Sequence, residues 1–292
     1  MKKAVLPLLV IGLAALLGAC QNESPAGKTC ENTLVAFGTY VQLPAGEFNP
    51  DFAQLYPEES RRNAVSVAAF KLLAHEVTNK EFAEFVEATG YVSDAEKVGA
   101  DPAAAGSALF SQRADQDGKW ELMQGATWRQ PDGPGSDLIG RDYHPVIHVS
   151  HNDATNYARW RGGRLPSEVE WEYAASLGLA GNQNRAAGAY DEQGMPIANT
   201  WQGLFPVVDS GDDGYTSTAP VACYAANSIG LYDMIGNVWE WTDTVYAPQR
   251  HTIKGGSFLC ARNYCRRYRP EARQGHESDF STNHIGFRII KD

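Results

Sequence analysis

From residue 180 to the C-terminus the chain has no long helical period, only short apolar runs broken by Gly, Asn and Asp. That pattern restricts this part of the molecule to loops and short strands, since a helix needs an apolar face repeated over several turns. The 292 residues include 28 glycines, 15 prolines and 7 tryptophans, a composition that suits irregular backbone pinned by large aromatic side chains. With 43% hydrophobic residues and no internal repeat, the chain can bury the core of one large domain or two small ones.

Regular structure is expected earlier. Alternating apolar positions over residues 34–48 predict one or two strands, and Val65 to Phe70 predicts another. Thr78 and Glu81 form a capping box, Phe82, Phe85 and Val86 share one face, and Gly90 stops the run, so residues 79–89 are predicted to be an amphipathic helix. Residues 92–145 carry Trp120 and Trp128 but no sustained period and read as a long ordered loop or an insertion. Pro145 to Val149 is expected to be a short strand. Ser150 with Asp153 caps a second helix, carrying Ala154, Tyr157 and Ala158, that ends at Gly162 and Gly163. Ser167 with Glu170 caps a third, with Trp171, Ala174 and Ala175 on one side.

The start of the chain addresses the compartment. Lys2 and Lys3, the apolar run of residues 4–17, and then Gly18 and Ala19 read as an export signal covering residues 1–19. The run is too short for a comfortable membrane span, and LGAC at 17–20 resembles a bacterial lipobox, which would make Cys20 the lipidated first mature residue. Residues 20–33 then form the lipidated cysteine and a flexible tether, and residues 34–292 the domain itself. The expected location is the cell envelope, outside the cytoplasm, held to the membrane through the lipid. A net charge of −10 argues against a general nucleic-acid binder.

With Cys20 acylated, Cys30, Cys223, Cys260 and Cys265 remain, and four thiols allow three pairings in an oxidising compartment. Cys260 and Cys265 lie in GGSFLCARNYCRRYR among Arg262, Arg266, Arg267 and Arg269. Nearby guanidinium groups favour the thiolate, the form that attacks electrophiles and binds soft metals. Two thiolates without a third soft ligand suit Cu(I) better than Zn(II), and the alternative is a plain disulfide across a turn. His144, His148 and His151 invite a metal triad, but a strand would point His148 one way while His151 enters a helix cap. Neither an HExxH nor a GxSxG motif is present, so the sequence makes no case for a zinc hydrolase or a serine esterase. The acidic loop DSGDDGY with Asn199, and YDMIGNVWEW with Asp233 and Glu240, offer hard oxygen ligands for calcium, or are ordinary Gly-containing turns.

Several blocks taken together resemble the formylglycine-generating enzymes, or sulfatase-modifying factors: HEVTNKEFAEFVEATGY, GATWRQPDGPGS, HPVIHVSHNDATNYARWRGGRLPSEVEWEYAA, ANTWQGLFP, GLYDMIGNVWEWTD, KGGSFLCARNYCRRYR and IGFR. The resemblance implies an α+β, loop-rich, C-type-lectin-like fold with two structural calcium sites. One would use Asn199, Thr200, Asp213 and Tyr215, the other Asp233, Gly236, Val238 and Glu240. It implies Cu(I) on Cys260 and Cys265, with Ser257, Trp239 and Tyr264 lining an oxygen and thiol pocket. The implied substrate is a cysteine in an unfolded sulfatase segment of pattern Cys-x-Pro-x-Arg, oxidised by O2 with a thiol reductant to Cα-formylglycine by a monomer. Arg266 is expected to hold thiolate charge or to contact the peptide. His284 stands where the family usually has Asn, and Ala261 where some members carry His; both touch the expected fine substrate contacts. A non-catalytic calcium-bound scaffold and an oxidase of a secreted small molecule are the rival readings.

Overall fold

The computed structural model describes residue 30 and residues 37–50, 54–59, 63–97, 106–111, 118–178 and 188–292; the expected signal and Cys20 lie outside them. Three helices form where the capping boxes predict. Helix α1 is Asn79–Thr89, α2 His151–Trp160 and α3 Glu168–Gly178. At α1 the Thr78 amide donates to the Glu81 carboxylate at 2.9 Å and the Glu81 amide to the Thr78 hydroxyl at 3.2 Å, while Gly90 closes the helix at φ 67°. Its buried face carries Phe82 and Phe85, packed on Tyr157 of α2. Among the described residues, no helix is long and apolar enough to cross a membrane.

The strands are Tyr40–Leu43 (β1), Gly46–Phe48 (β2), Val65–Val67 (β3), Phe70–Leu73 (β4), Gly106–Ser111 (β5), Lys119–Gln124 (β6), Gly203–Leu204 (β7), Val208–Asp209 (β8), Trp239–Ala247 (β9), Arg250–Lys254 (β10), Gln274–Glu277 (β11), Ile285–Gly286 (β12) and Ile290–Lys291 (β13). A four-stranded sheet runs β11-β10-β9-β12, antiparallel except for the β12–β9 pair, and a three-stranded sheet runs β1-β4-β13. The rest are two-stranded pairs. This is a mixed α+β fold with few helices and many short strands, and no helix forms among the described residues after 187.

Tryptophan pins the irregular parts as the composition suggests. The buried indoles of Trp171, Trp201 and Trp241 donate to Glu240, the Val208 carbonyl and the Val149 carbonyl at 2.8, 2.9 and 3.0 Å. Two expectations need correction. Pro145 to Val149 is not a strand: only Pro145 bridges, to Thr78, and His148 turns left-handed at φ 58°, which breaks an extended run. Residues 92–145 are not one loop, because β5 and β6 form a hairpin with Phe110 opposite Trp120.

Candidate active site

Strand β10 runs into the Gly255–Gly256 turn, where both residues have positive φ and a side chain at Gly256 would meet the Tyr268 backbone at 2.7 Å. The turn delivers Ser257 and Cys260 into the interior, and the chain folds again at Ala261, whose carbonyl accepts from the Tyr264 and Cys265 amides at 3.2 and 3.0 Å. This second turn brings the Cys260 and Cys265 sulfurs to 3.3 Å; both cysteines are free. The remaining pair, Cys30 and Cys223, is disulfide-bonded.

The two thiols are not equivalent. The contact with Cys265, together with burial, pushes Cys260 well above the ordinary thiol range, whereas the Cys260 contact, aided by Arg267, lowers Cys265 to about 7. Near neutrality the Cys260 thiol therefore donates to a Cys265 thiolate. Cys260 is buried and Cys265 half-buried, so the charged sulfur is also the more accessible one. Arg267, rather than Arg266, faces this sulfur. Its guanidinium is held by Glu58 at 2.5 Å, while exposed Arg266 turns its Nε to the Arg262 carbonyl at 3.1 Å.

Both sulfurs open into a cleft of about 750 Å³ that Ser257, Trp239, Tyr264 and His284 also line. Ser257 is fully buried, its hydroxyl accepting from the Leu259 amide at 3.2 Å. Trp239 opens β9, and its amide donates to the His284 carbonyl at 2.9 Å. Burial holds His284 well below its ordinary pKa, so the ring is neutral; its Nδ1 meets the Thr282 hydroxyl at 2.6 Å. Tyr264, 68% exposed, stacks on Phe205 at 4.5 Å, Phe205 on Phe110 at 5.4 Å, and Trp120 lies over His284 at 4.8 Å. Neighbouring Asn283 clamps Phe110 by accepting from its amide at 3.1 Å and donating to its carbonyl at 3.0 Å. As site residues, Phe110, Trp120, Phe205 and Glu58 escaped the sequence reading; the RRYR run, Arg267 included, signalled the charge but not which arginine points inward.

The expected calcium ligands gather in two places. At the first, Asn199, Thr200 and Asp213 are each about 1% exposed. The Asn199 side chain donates to the Ser217 carbonyl at 2.8 Å, leaving Oδ1 buried without a hydrogen bond. Asp213 accepts from the Thr200 and Tyr215 amides, both at 2.9 Å, and burial raises its carboxyl. At the second, Asp233 is left-handed at φ 53°, and burial raises it to about 6. Gly236 lies so close to Asn199 that a Cβ would sit 2.1 Å from the Asn199 carbonyl oxygen. Glu240, however, gives both oxygens to Arg288 at 2.7 Å and accepts from Trp171. The sequence reading missed buried Glu76, whose Oε2 has no hydrogen-bond partner and whose carboxyl is pushed well up by burial and then by Asp233. Its signal was a lone carboxylate in the mostly apolar LLAHEV stretch between β4 and α1. Glu76, Asp233 and Glu240 face the single guanidinium of Arg288, and an orphaned oxygen in such a set suits a hard cation. His144 and His148 go elsewhere, to the Thr218 hydroxyl at 3.0 Å and the Pro131 carbonyl at 2.9 Å, so the three histidines do not converge.

Fold and site together define an irregular α+β protein with a reduced, asymmetric thiol pair in an aromatic-walled cleft. Its sequence matches the family described as sulfatase-modifying factor enzyme 1-like domain over residues 27–292, and the chain belongs to that family. It is 42% identical to the formylglycine-generating enzyme of Mycobacterium tuberculosis, covering 86% of this chain and 97% of the relative. It is 35% identical to a Mus musculus relative named inactive C-alpha-formylglycine-generating enzyme 2, over 85% of this chain and 84% of that one. PvdO from Pseudomonas aeruginosa shares the fold, with TM-score 0.59, 24% identity, and coverage of 87% of this chain and 94% of that structure.

Proposed function

We propose that this chain converts a cysteine of an extended sulfatase segment, of the Cys-x-Pro-x-Arg type, to Cα-formylglycine with O2. The observation that carries the reading is the Cys265 thiolate at the floor of an open cleft, in contact with a second, protonated thiol. Two adjacent soft sulfur donors fit Cu(I), which would supply the one-electron chemistry by which oxygen oxidises a thiol. The balance is one peptide thiol, one O2 and two reductant thiols giving aldehyde, sulfide, water and a reductant disulfide. The chain's own residues hold the reactants. Arg267 keeps negative charge on Cys265, neutral His284 and the Ser257 hydroxyl present polar groups without adding charge, and Trp239 excludes water from the floor. The Tyr264–Phe205 wall, backed by buried Phe110, offers stacking surface for an extended peptide.

Calcium is assigned to Asn199 and Asp213 with the Thr200 and Tyr215 carbonyls, and to Asp233 with the Gly236 and Val238 carbonyls. At the second place Glu76 supplies the orphaned oxygen, while Glu240 acts through Arg288. Residues 1–19 are proposed to direct export and Cys20 to carry the lipid, so that the enzyme meets its substrate on the outer side of a membrane. The test is mass spectrometry of a Cys-x-Pro-x-Arg peptide incubated with the copper-loaded chain, O2 and a thiol. The expected product is the aldehyde. Copper binding with no peptide conversion favours an oxidase of a small molecule, and neither result leaves a non-catalytic scaffold like the inactive relative.

A further inference from the structure

His151 opens α2 and His251 lies on β10, and their rings stack face to face with centroids 3.6 Å apart and planes 7° from parallel. The His251 tautomer follows from its neighbours. His251 Nδ1 is 2.7 Å from the Ser278 hydroxyl, whose own proton goes to the Gln249 carbonyl at 3.0 Å. The hydroxyl therefore accepts, His251 Nδ1 carries the hydrogen, and Nε2 keeps a lone pair. His151 Nε2 is buried without a hydrogen-bond partner.

Both ring nitrogens sit beside a carboxylate. Asp243 Oδ1 lies 3.8 Å from His151 Nε2, and one donor atom from each of His151, Asp243 and His251 falls within 4.8 Å of the others. A cation among the three would give the buried His151 Nε2 a partner and draw in the Asp243 carboxylate; because the stacked planes are 7° from parallel, one ring must turn out of the stack for both nitrogens to reach it.

We propose that His151, Asp243 and His251 bind a divalent cation of the zinc class, at a place separate from the thiol pair and from the buried carboxylates. Two imidazoles and one carboxylate suit zinc, nickel or copper(II) rather than calcium, and three protein ligands leave one tetrahedral position for water. Ligand distances of about 2 Å require the three to close inward. Asp243 can do so, because its side chain is 63% exposed. Ser278 already holds the His251 imidazole in the ligating tautomer, the supporting arrangement that metal-bound histidines generally use. The bound ion ties the start of α2 to both strands of the β9–β10 pair.

The test is calorimetric zinc titration of the full chain carrying Cys260→Ser and Cys265→Ser, in saturating calcium, so that neither thiols nor hard-ion sites contribute. One zinc per chain is expected, with affinity falling at least a hundredfold on adding His251→Ala and at least tenfold on adding Asp243→Asn. Zinc should raise the melting temperature of the thiol-free parent but not of its His251→Ala derivative. Asp243→Asn alters an exposed side chain and keeps the test valid if the histidine variant does not fold. No zinc uptake by the thiol-free parent, or uptake unchanged by both added substitutions, overturns the assignment.

Discussion

Cys30 and Cys223 are joined across 193 positions, whereas Cys260 and Cys265, five positions apart, touch at 3.3 Å and stay free. Distance does not separate the two pairs; surroundings do. Tyr215 lays its hydroxyl against both sulfurs of the disulfide, at 3.1 and 3.0 Å, and the same residue's amide donates to Asp213 in the first carboxylate site. That pair belongs to the scaffold. The free pair lies in a tight turn beside Arg267, so one sulfur is held charged and the other protonated. Reactivity therefore comes from an electrostatic asymmetry, and stability from a covalent loop closure.

The sharpest way to break this contrast is to exchange the roles of the two pairs. Cys265→Ser removes the charged sulfur, and aldehyde formation should fall by about 10⁴-fold or more, about 5 kcal/mol at the transition state, with the melting temperature hardly changed. Retained activity would place the chemistry elsewhere. Replacing Cys30 and Cys223 together by Ser should do the opposite. Losing such a closure costs about 2–5 kcal/mol of stability, read by urea unfolding, while activity per folded molecule persists. An activity loss in the still-folded double variant would show that the disulfide supports the cleft after all.

The same contrast marks what could be read from residue order. The helices were legible because each begins with a capping box and shows an apolar face, both local signals. The thiol pair was legible as a pair, since the turn that joins its members is encoded within six residues. Its asymmetry was not, because Arg267 and Arg266 are adjacent and only the path of the chain decides which one faces the sulfur. Glu76, 161 positions from the Asn237 side chain that donates to it, was invisible for a related reason: it reaches Asp233 only through tertiary packing. The β5–β6 hairpin was missed because Lys119 to Gln124 are mostly exposed or half-exposed, so they lack the apolar alternation that announces a strand.

The carboxylate places should respond to calcium and to pH below about 6, whereas the thiol pair titrates only near and above neutrality and should ignore calcium. Asp233 titrates at about 6 in the fold against about 3.9 in an unfolded chain, so between those values the metal-free native state holds more protons. Its stability should therefore fall as pH rises from about 4 to 6. Calcium competes with those protons, so its stabilising effect should grow over the same window and reach about 2.7 kcal/mol at a hundred times its dissociation constant. Melting in chelator and in calcium at pH 5 and pH 7 checks the sign. A metal-free chain that gains stability towards pH 7 would remove the buried carboxylates from the hard-ion reading, as would a Glu76→Gln variant with the parent's full calcium response.

Arg267→Gln asks whether the cleft's asymmetry rests on one guanidinium. Without it Cys265 should rise above about 7, but only part of the way to the ordinary thiol value of about 8.5, because the Cys260 contact that lowers it most remains. The thiolate fraction at pH 7 then drops severalfold, so the rate should fall roughly fivefold, about 1 kcal/mol. At pH 9 most of the thiol is ionised in either protein, and the variant should recover to within about twofold of the parent. Arg267→Lys, which keeps a charge but not the fork that grips Glu58, should lie between the two at pH 7. A loss that persists at pH 9 would mean that Arg267 contacts the peptide rather than the sulfur, and Arg266→Gln measured beside it should leave the profile in place.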